Sequence, residues 1–263
     1  MGSRLAWEED RRISFELEIL SNYSLTTNKE VMMKTGKWPK AIFYDSKNTL
    51  FDWSKVWTEA STRIVKKYGS DVTGEEFKKM WHHLLISENH RTAFSAYREF
   101  SEALKDSLVY ALRYFNIPGN AGDLDYMLNA WNEVKPFPDT VPAFREQQEM
   151  TKVLIFSNVE TRYLNMMVEK MDGFKPDFVG TMEQARTCKP SPRAYLWVLE
   201  KNGFTIDDVI YCARPQWDVQ GAFALGMKSI WLNRAGEELS GAKPDYEVKD
   251  LHGVTKIVRE HLK

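Results

Sequence analysis

Short apolar runs that end in polar residues alternate with helical patterns, and this alternation constrains the fold more than any other feature. The first run, Ala41-Ile42-Phe43-Tyr44, delivers Asp45. An unbroken apolar run of this length suits a parallel strand covered on both faces, and the carboxyl end of such a strand is where α/β proteins place reactive side chains. Comparable runs recur at Val153 to Phe156, Phe178 to Val179, Val209 to Tyr211 and Ser229 to Leu232, with helical stretches between them. The pattern predicts an α/β fold: a parallel sheet with helices on both faces.

Between the first two runs the period changes. From Trp53 to Val134 the apolar residues recur at helical spacing, with Val56, Trp57, Ala60, Ile64 and Tyr68 on one face. Phe100, Leu104, Leu108, Leu112 and Phe115 share another, and Leu124, Met127, Leu128 and Trp131 precede the Pro136-Phe137-Pro138 return. An all-helical insertion over residues 53–135 therefore interrupts an α/β core made of residues 39–52 and 136–263. Residues 1–38 form an N-terminal extension with no strong periodicity and no readable role.

Charge narrows the partners. The 36 basic and 37 acidic residues give a net charge of -1, so no global field favours nucleic acid or an anionic membrane, and a charged small-molecule ligand must be held locally. Cys188 and Cys212 are not spaced as a metal or redox pair and read as free buried thiols in a reducing compartment. Glu8 through Arg12 are too charged for a signal peptide, and no run approaches the ~20 apolar residues of a membrane span. A cytoplasmic location is the expectation.

The polar residues at successive strand ends carry the functional reading. Asp45 is followed four residues on by Thr49, Ser157-Asn158 ends the next core strand, and Lys189 and Asp218 end later ones. In this topology the ends converge on one crevice. There Lys189 keeps Asp45 ionised by lowering its pKa, and Thr49 and Ser157 orient the carboxylate by hydrogen bonds toward an electrophilic carbon. The resulting ester needs water, for which Asp218 is a candidate base. Because both residues sit at strand ends, replacing Asp45 or Lys189 is expected to abolish activity without unfolding the chain.

In order, Asp45-x-x-x-Thr49, Ser157-Asn158, Lys189-Pro190 and Trp217-Asp218 resemble the four motifs of the haloacid dehalogenase superfamily. Thr49-Leu50-Phe51-Asp52, Lys135-Pro136-Phe137-Pro138-Asp139 and Lys189-Pro190-x-Pro192-Arg193-x-Tyr195 bring the chain nearest the L-2-haloacid dehalogenase branch. The resemblance covers roughly residues 40–262. It implies a Rossmann-like core with a four-helix cap, commonly a homodimer, and a metal-independent displacement of halide from C2 of a 2-haloacid without a cofactor. Carried over by motif, Asp45 is the nucleophile, Lys189 its counter-ion, and Thr49 and Ser157 its hydrogen-bond partners. Asn158 is a ligand for substrate or leaving group, and Tyr195 and Asp218 support the nucleophile and the hydrolytic step.

The chain departs from that pattern at several positions. Phosphatases of the superfamily carry a second aspartate two residues after the nucleophile, where this sequence has Lys47. Asp218 stands alone in the last motif, too few hard oxygen ligands for magnesium. The arginine that the branch uses for the leaving halide falls on His82, after Trp81, and an expected serine and asparagine fall on Ala213 and Pro215. Of His82 and His83, one faces the crevice and titrates near neutrality. At helical spacing Trp53, Trp57, Phe94 and Tyr97 read first as core and otherwise as an apolar pocket wall, and Arg234 reads as a structural ion-pair partner.

Lys47 has three readings. It is a solvated or ion-paired charge, a ligand for a substrate carboxylate or leaving anion, or an amine that forms a Schiff base with a carbonyl substrate. The combined reading is a hydrolase that forms an aspartyl ester with a small organic acid, with Lys47, Asn158, His82 and Tyr195 on the substrate side. The alternatives are an epoxide hydrolase of the cis-epoxysuccinate type, a lyase or isomerase using Lys47, and a non-catalytic binding protein.

Overall fold

The computed structural model describes residues 38–262. The expected N-terminal extension, apart from Trp38, therefore lies outside the described residues. Strand β1 (Ala41–Tyr44) is followed by helices α1 (Trp53–Lys67), α2 (Gly74–Phe94), α3 (Phe100–Tyr114) and α4 (Leu124–Ala130), then α5 (Thr140–Gln148) and β2 (Lys152–Ser157). After these come α6 (Thr161–Val168), β3 (Phe178–Thr181), α7 (Met182–Ala185), α8 (Pro192–Asn202), β4 (Val209–Ala213) and α9 (Gln216–Ala224). β5 (Lys228–Leu232), β6 (Tyr246–Val248) and α10 (Leu251–His261) complete the fold.

Among the described residues six parallel strands form one sheet, in the order β3-β2-β1-β4-β5-β6. The central strand β1 is fully buried along its length, which is why its sequence is continuously apolar rather than alternating. Phe43 pairs with Leu154 on one side and Tyr211 on the other. The chain builds outward from β1 through β2 and β3, then crosses back to β4, so the switch in direction lies beside the carboxyl ends of β1 and β4. The edge strand β6 escapes the sequence pattern because its three residues are only partly buried or exposed.

The helices between β1 and β2 bury an aromatic cluster. Trp53 lies 4.4 Å from Trp57 and 5.1 Å from Trp131, and Trp57 lies 5.3 Å from Trp81, measured between ring centroids. Trp131 stacks at 4.9 Å on Tyr163 of α6 and so ties this helical layer to the sheet side. Local signals start the helices: the Asp52 side chain caps α1, and Thr73 and Glu76 form a reciprocal capping box on α2. Phe94, a candidate pocket wall, is 79% exposed at the end of α2, where it lines an open surface cavity with His83, Ile86 and His90. Arg234 pairs with Asp139 at 2.9 Å and donates to the Thr49 carbonyl at 3.0 Å, bracing the loop after β1. Among the described residues no helix is long and apolar enough to cross a membrane.

Candidate active site

Asp45 directly follows β1, and its N–H continues the ladder onto the Cys212 carbonyl of β4 at 3.1 Å. The chain then turns sharply, with the Leu50 and Phe51 amides returning to the Ser46 carbonyl. Asn48 takes the left-handed conformation this turn needs, φ 61°, which asparagine tolerates better than most residues, and its side chain accepts from the Ser54 amide at 2.7 Å. The turn brings Thr49 back beneath Asp45. Thr49 Oγ1 donates to Asp45 Oδ2 at 2.7 Å and is itself fixed by the Arg214 amide at 3.0 Å.

Lys189 is the hub. It is fully buried, and its Nζ donates to Asp45 Oδ1 at 2.8 Å, Asp218 Oδ2 at 2.6 Å and the Tyr211 hydroxyl at 2.9 Å, using all three of its donors. Burial by itself pushes the ammonium pKa down, but the charges and hydrogen bonds of Asp218 and Asp45 outweigh it and leave it above the ordinary lysine value. Asp218, in the first turn of α9, is raised above the usual carboxylate range, first by burial and also by Asp45, against the pull of Lys189. Tyr195 donates to Asp218 Oδ1 at 2.7 Å. That approach requires Gly221, where a Cβ would stand 2.5 Å from the Tyr195 hydroxyl.

Lys47 occupies a different environment. Its Nζ donates to the Asn158 carbonyl at 3.0 Å and lies 3.7 Å from the Phe100 ring centroid and 4.9 Å from that of Trp53. Burial lowers its pKa to about 7, with Asp45 and Glu160 opposing the fall. His82 retains solvent exposure on α2, with its ring 5.0 Å from that of Trp57. Partial burial, followed by the charges of Lys47, Arg214 and Lys78, lowers its pKa to about 4. The expected titration near neutrality is therefore corrected: cations surround the imidazole, and it is neutral where the missing arginine would be charged.

The structure brings Asp45, Thr49, Lys189 and Asp218 into one hydrogen-bonded set. Ser157 does not join them as expected, because its Oγ accepts from Ser46 Oγ at 2.6 Å rather than bonding to Asp45. Asn158 clamps the Lys189 backbone from both sides, Nδ2 to the carbonyl at 2.7 Å and Oδ1 from the amide at 2.9 Å, so its amide positions the lysine. Tyr195, placed on the substrate side by sequence, is fully buried and gives its hydroxyl proton to Asp218. Tyr211 and Ser46 were missed. A tyrosine inside an otherwise apolar strand was the available signal, since a buried phenol needs a partner.

No group of three or more His, Cys, Asp or Glu side chains is arranged to hold a metal ion among the described residues. Asp45 and Asp218 are instead joined through the Lys189 ammonium. A carboxylate at the end of the central parallel strand, held by a threonine four residues on and by a buried lysine shared with a second carboxylate, is the arrangement of a hydrolase site.

The haloacid dehalogenase-like hydrolase family model matches residues 42–232, and the chain belongs to that family. It is similar to haloacetate dehalogenase H-2 of Moraxella sp. (strain B), 26% identical over 225 residues, or 83% of this chain and 97% of that one. An L-2-haloacid dehalogenase crystal structure superposes with a TM-score of 0.75 at 24% identity, over 86% of this chain and 100% of the other. The Xanthobacter autotrophicus L-2-haloacid dehalogenase, solved with chloropropionic acid covalently bound, gives 0.71 at 23% identity over 84% and 98%. The two structures share this fold, and the curated relative carries a name from the branch that the motifs indicate.

Proposed function

We propose that the chain is a 2-haloacid dehalogenase-type hydrolase acting on a small organic acid through an Asp45 ester, with no metal or cofactor. One observation carries the reading: Thr49 and Lys189 donate to opposite oxygens of Asp45, fixing the carboxylate at the strand end. In the first step an Asp45 oxygen bonds to C2, the carbon–halogen bond breaks, and the halide leaves with the electron pair. In the second step, water adds to the ester carbonyl and gives a proton to Asp218. The acyl–oxygen bond breaks, the departing alkoxide takes that proton back to leave as the 2-hydroxy acid, and the remaining proton is released as Asp45 is regenerated as a carboxylate. Lys47 pairs with the substrate carboxylate or the leaving anion, since neutral His82 brings no charge to that task.

The experiment is a single turnover of 2-chloropropionate in heavy-oxygen water. Heavy oxygen goes to Asp45, because water attacks the ester carbonyl rather than C2. Label appearing first in the product removes the nucleophile assignment. A second reading, a lyase using the Lys47 amine on a carbonyl substrate, draws on the lowered pKa of that lysine. Borohydride trapping of substrate on Lys47 separates it from the ester mechanism.

A further inference from the structure

Glu160 is a buried carboxylate with no part in this scheme. It lies in the loop between β2 and α6, two residues past Asn158, and is 3% exposed. Its Oε1 accepts from the Ser101 amide at 3.0 Å, in the first turn of α3, while Oε2 is buried without a hydrogen-bond partner. Glu99, the residue just before α3, makes no side-chain cap of its own. The helix is thus capped from the sheet side. An amide in the first turn has no acceptor within its helix, and a carboxylate there is favoured by the helix dipole.

This contact closes a ring around Lys47. The lysine donates to the Asn158 carbonyl at one end of the Glu160 loop and lies 3.7 Å from the ring centroid of Phe100, the neighbour of Ser101. Lys47 therefore sits between the loop that carries Glu160 and the helical turn that Glu160 holds. We propose that Glu160 is the positioning residue for Lys47, holding the first turn of α3 and its Phe100 ring against the lysine and supplying the negative charge that keeps the lysine a cation.

The charges around Lys47 agree with this. Asp45 on its own loop and Glu160 favour the ammonium, whereas burial and Lys189 oppose it, the Cys188 thiol is neutral in this range because burial pushes its pKa up to about 12, and His82 of α2 feels the lysine from the helical side. The unpaired Oε2 leaves Glu160 with an oxygen not engaged by any other donor. Its effect on turnover rests on Lys47 serving the substrate, as proposed above, but its effect on the lysine itself does not.

The test reads Lys47 without substrate. Trace acetic anhydride acetylates the free amine, and mass spectrometry of the Lys47 peptide across a pH series gives its titration midpoint. Glu160→Gln keeps an acceptor for the Ser101 amide and removes only the charge. The expected result is a lower midpoint, with labelling at pH 7 just under twofold faster, about 1.8-fold, if the midpoint falls by about one unit. Glu160→Asp keeps the midpoint close to that of the wild type. Should the glutamine variant not fold, Glu160→Ser carries the same test. An unchanged midpoint in the uncharged variant overturns the proposal. With 2-chloropropionate, Glu160→Gln should raise KM more than it lowers kcat. If the wild type turns over no haloacid while the midpoint still falls, the proposed function fails and the role of Glu160 stands.

Discussion

Replacing Lys189 by methionine leaves two buried carboxylates facing each other without their shared cation. Lys189 and Asp218 are fully buried and Asp45 is 5% exposed, so water does little to relieve the repulsion. Removing one partner of a buried ion pair costs about 3 to 5 kcal/mol. Against a total stability of about 5 to 15 kcal/mol, that is a large share. With a urea dependence of about 3 kcal/mol per molar, the unfolding midpoint should fall by about 1 to 1.7 M. The expectation that the chain stays folded rested on a strand-end position, whereas Lys189 lies between α7 and α8, eight residues past β3, and is buried against both carboxylates.

The pH dependence fixes the sign. The folded-state pKa of Asp218 already lies above the ordinary carboxylate value, and loss of Lys189 removes the group that pulls it down. A carboxylate whose folded pKa is raised contributes stability below its unfolded pKa of about 4, and loses that contribution as pH rises through the folded value. Lys189→Met should therefore be most nearly wild type in acid and weakest near neutrality. Adding Asp218→Asn removes one of the two charges and should recover roughly half of the loss. Urea titrations followed by circular dichroism at several pH values provide the measurement. A wild-type midpoint in Lys189→Met, or a double variant weaker than the single one, refutes the account of the triad.

Lys47→Met should lower kcat/KM for 2-chloropropionate by the worth of a charged hydrogen bond, about 1.5 to 3 kcal/mol or roughly 10- to 150-fold, while Lys47→Arg retains part of the activity. Wild-type kcat/KM should fall as pH rises through about 7, where the ammonium is lost, and the methionine variant should lack that limb. A rising limb with an inactive arginine variant would instead identify the free amine as the working form. Chelators should leave turnover unchanged and magnesium should add nothing, because Lys189, Thr49 and Tyr195 already engage the oxygens of Asp45 and Asp218. Loss of activity in chelator that magnesium restores would overturn the metal-independent scheme.

Local periodicity determined the parallel sheet, the helical stretch after the first strand and the place of Asp45 at a strand end, since burial on both faces writes itself into a continuous apolar run. Spacing along the chain likewise brought Thr49 beneath Asp45, because four residues through a left-handed Asn48 close a turn. The partners of Lys189 were only partly legible. Asp45 lies 144 residues away and Asp218 lies 29, and both were assigned by motif, but the Tyr211 hydroxyl depended on strand register. Tertiary packing alone decided that Ser157 bonds to Ser46, that Tyr195 stands behind Asp218, and that Glu160 caps a helix 59 residues earlier. It also set the charge states of Lys47 and His82, which no spacing encodes: a pKa records how much water and how many charges surround a group, and both are properties of the assembled fold.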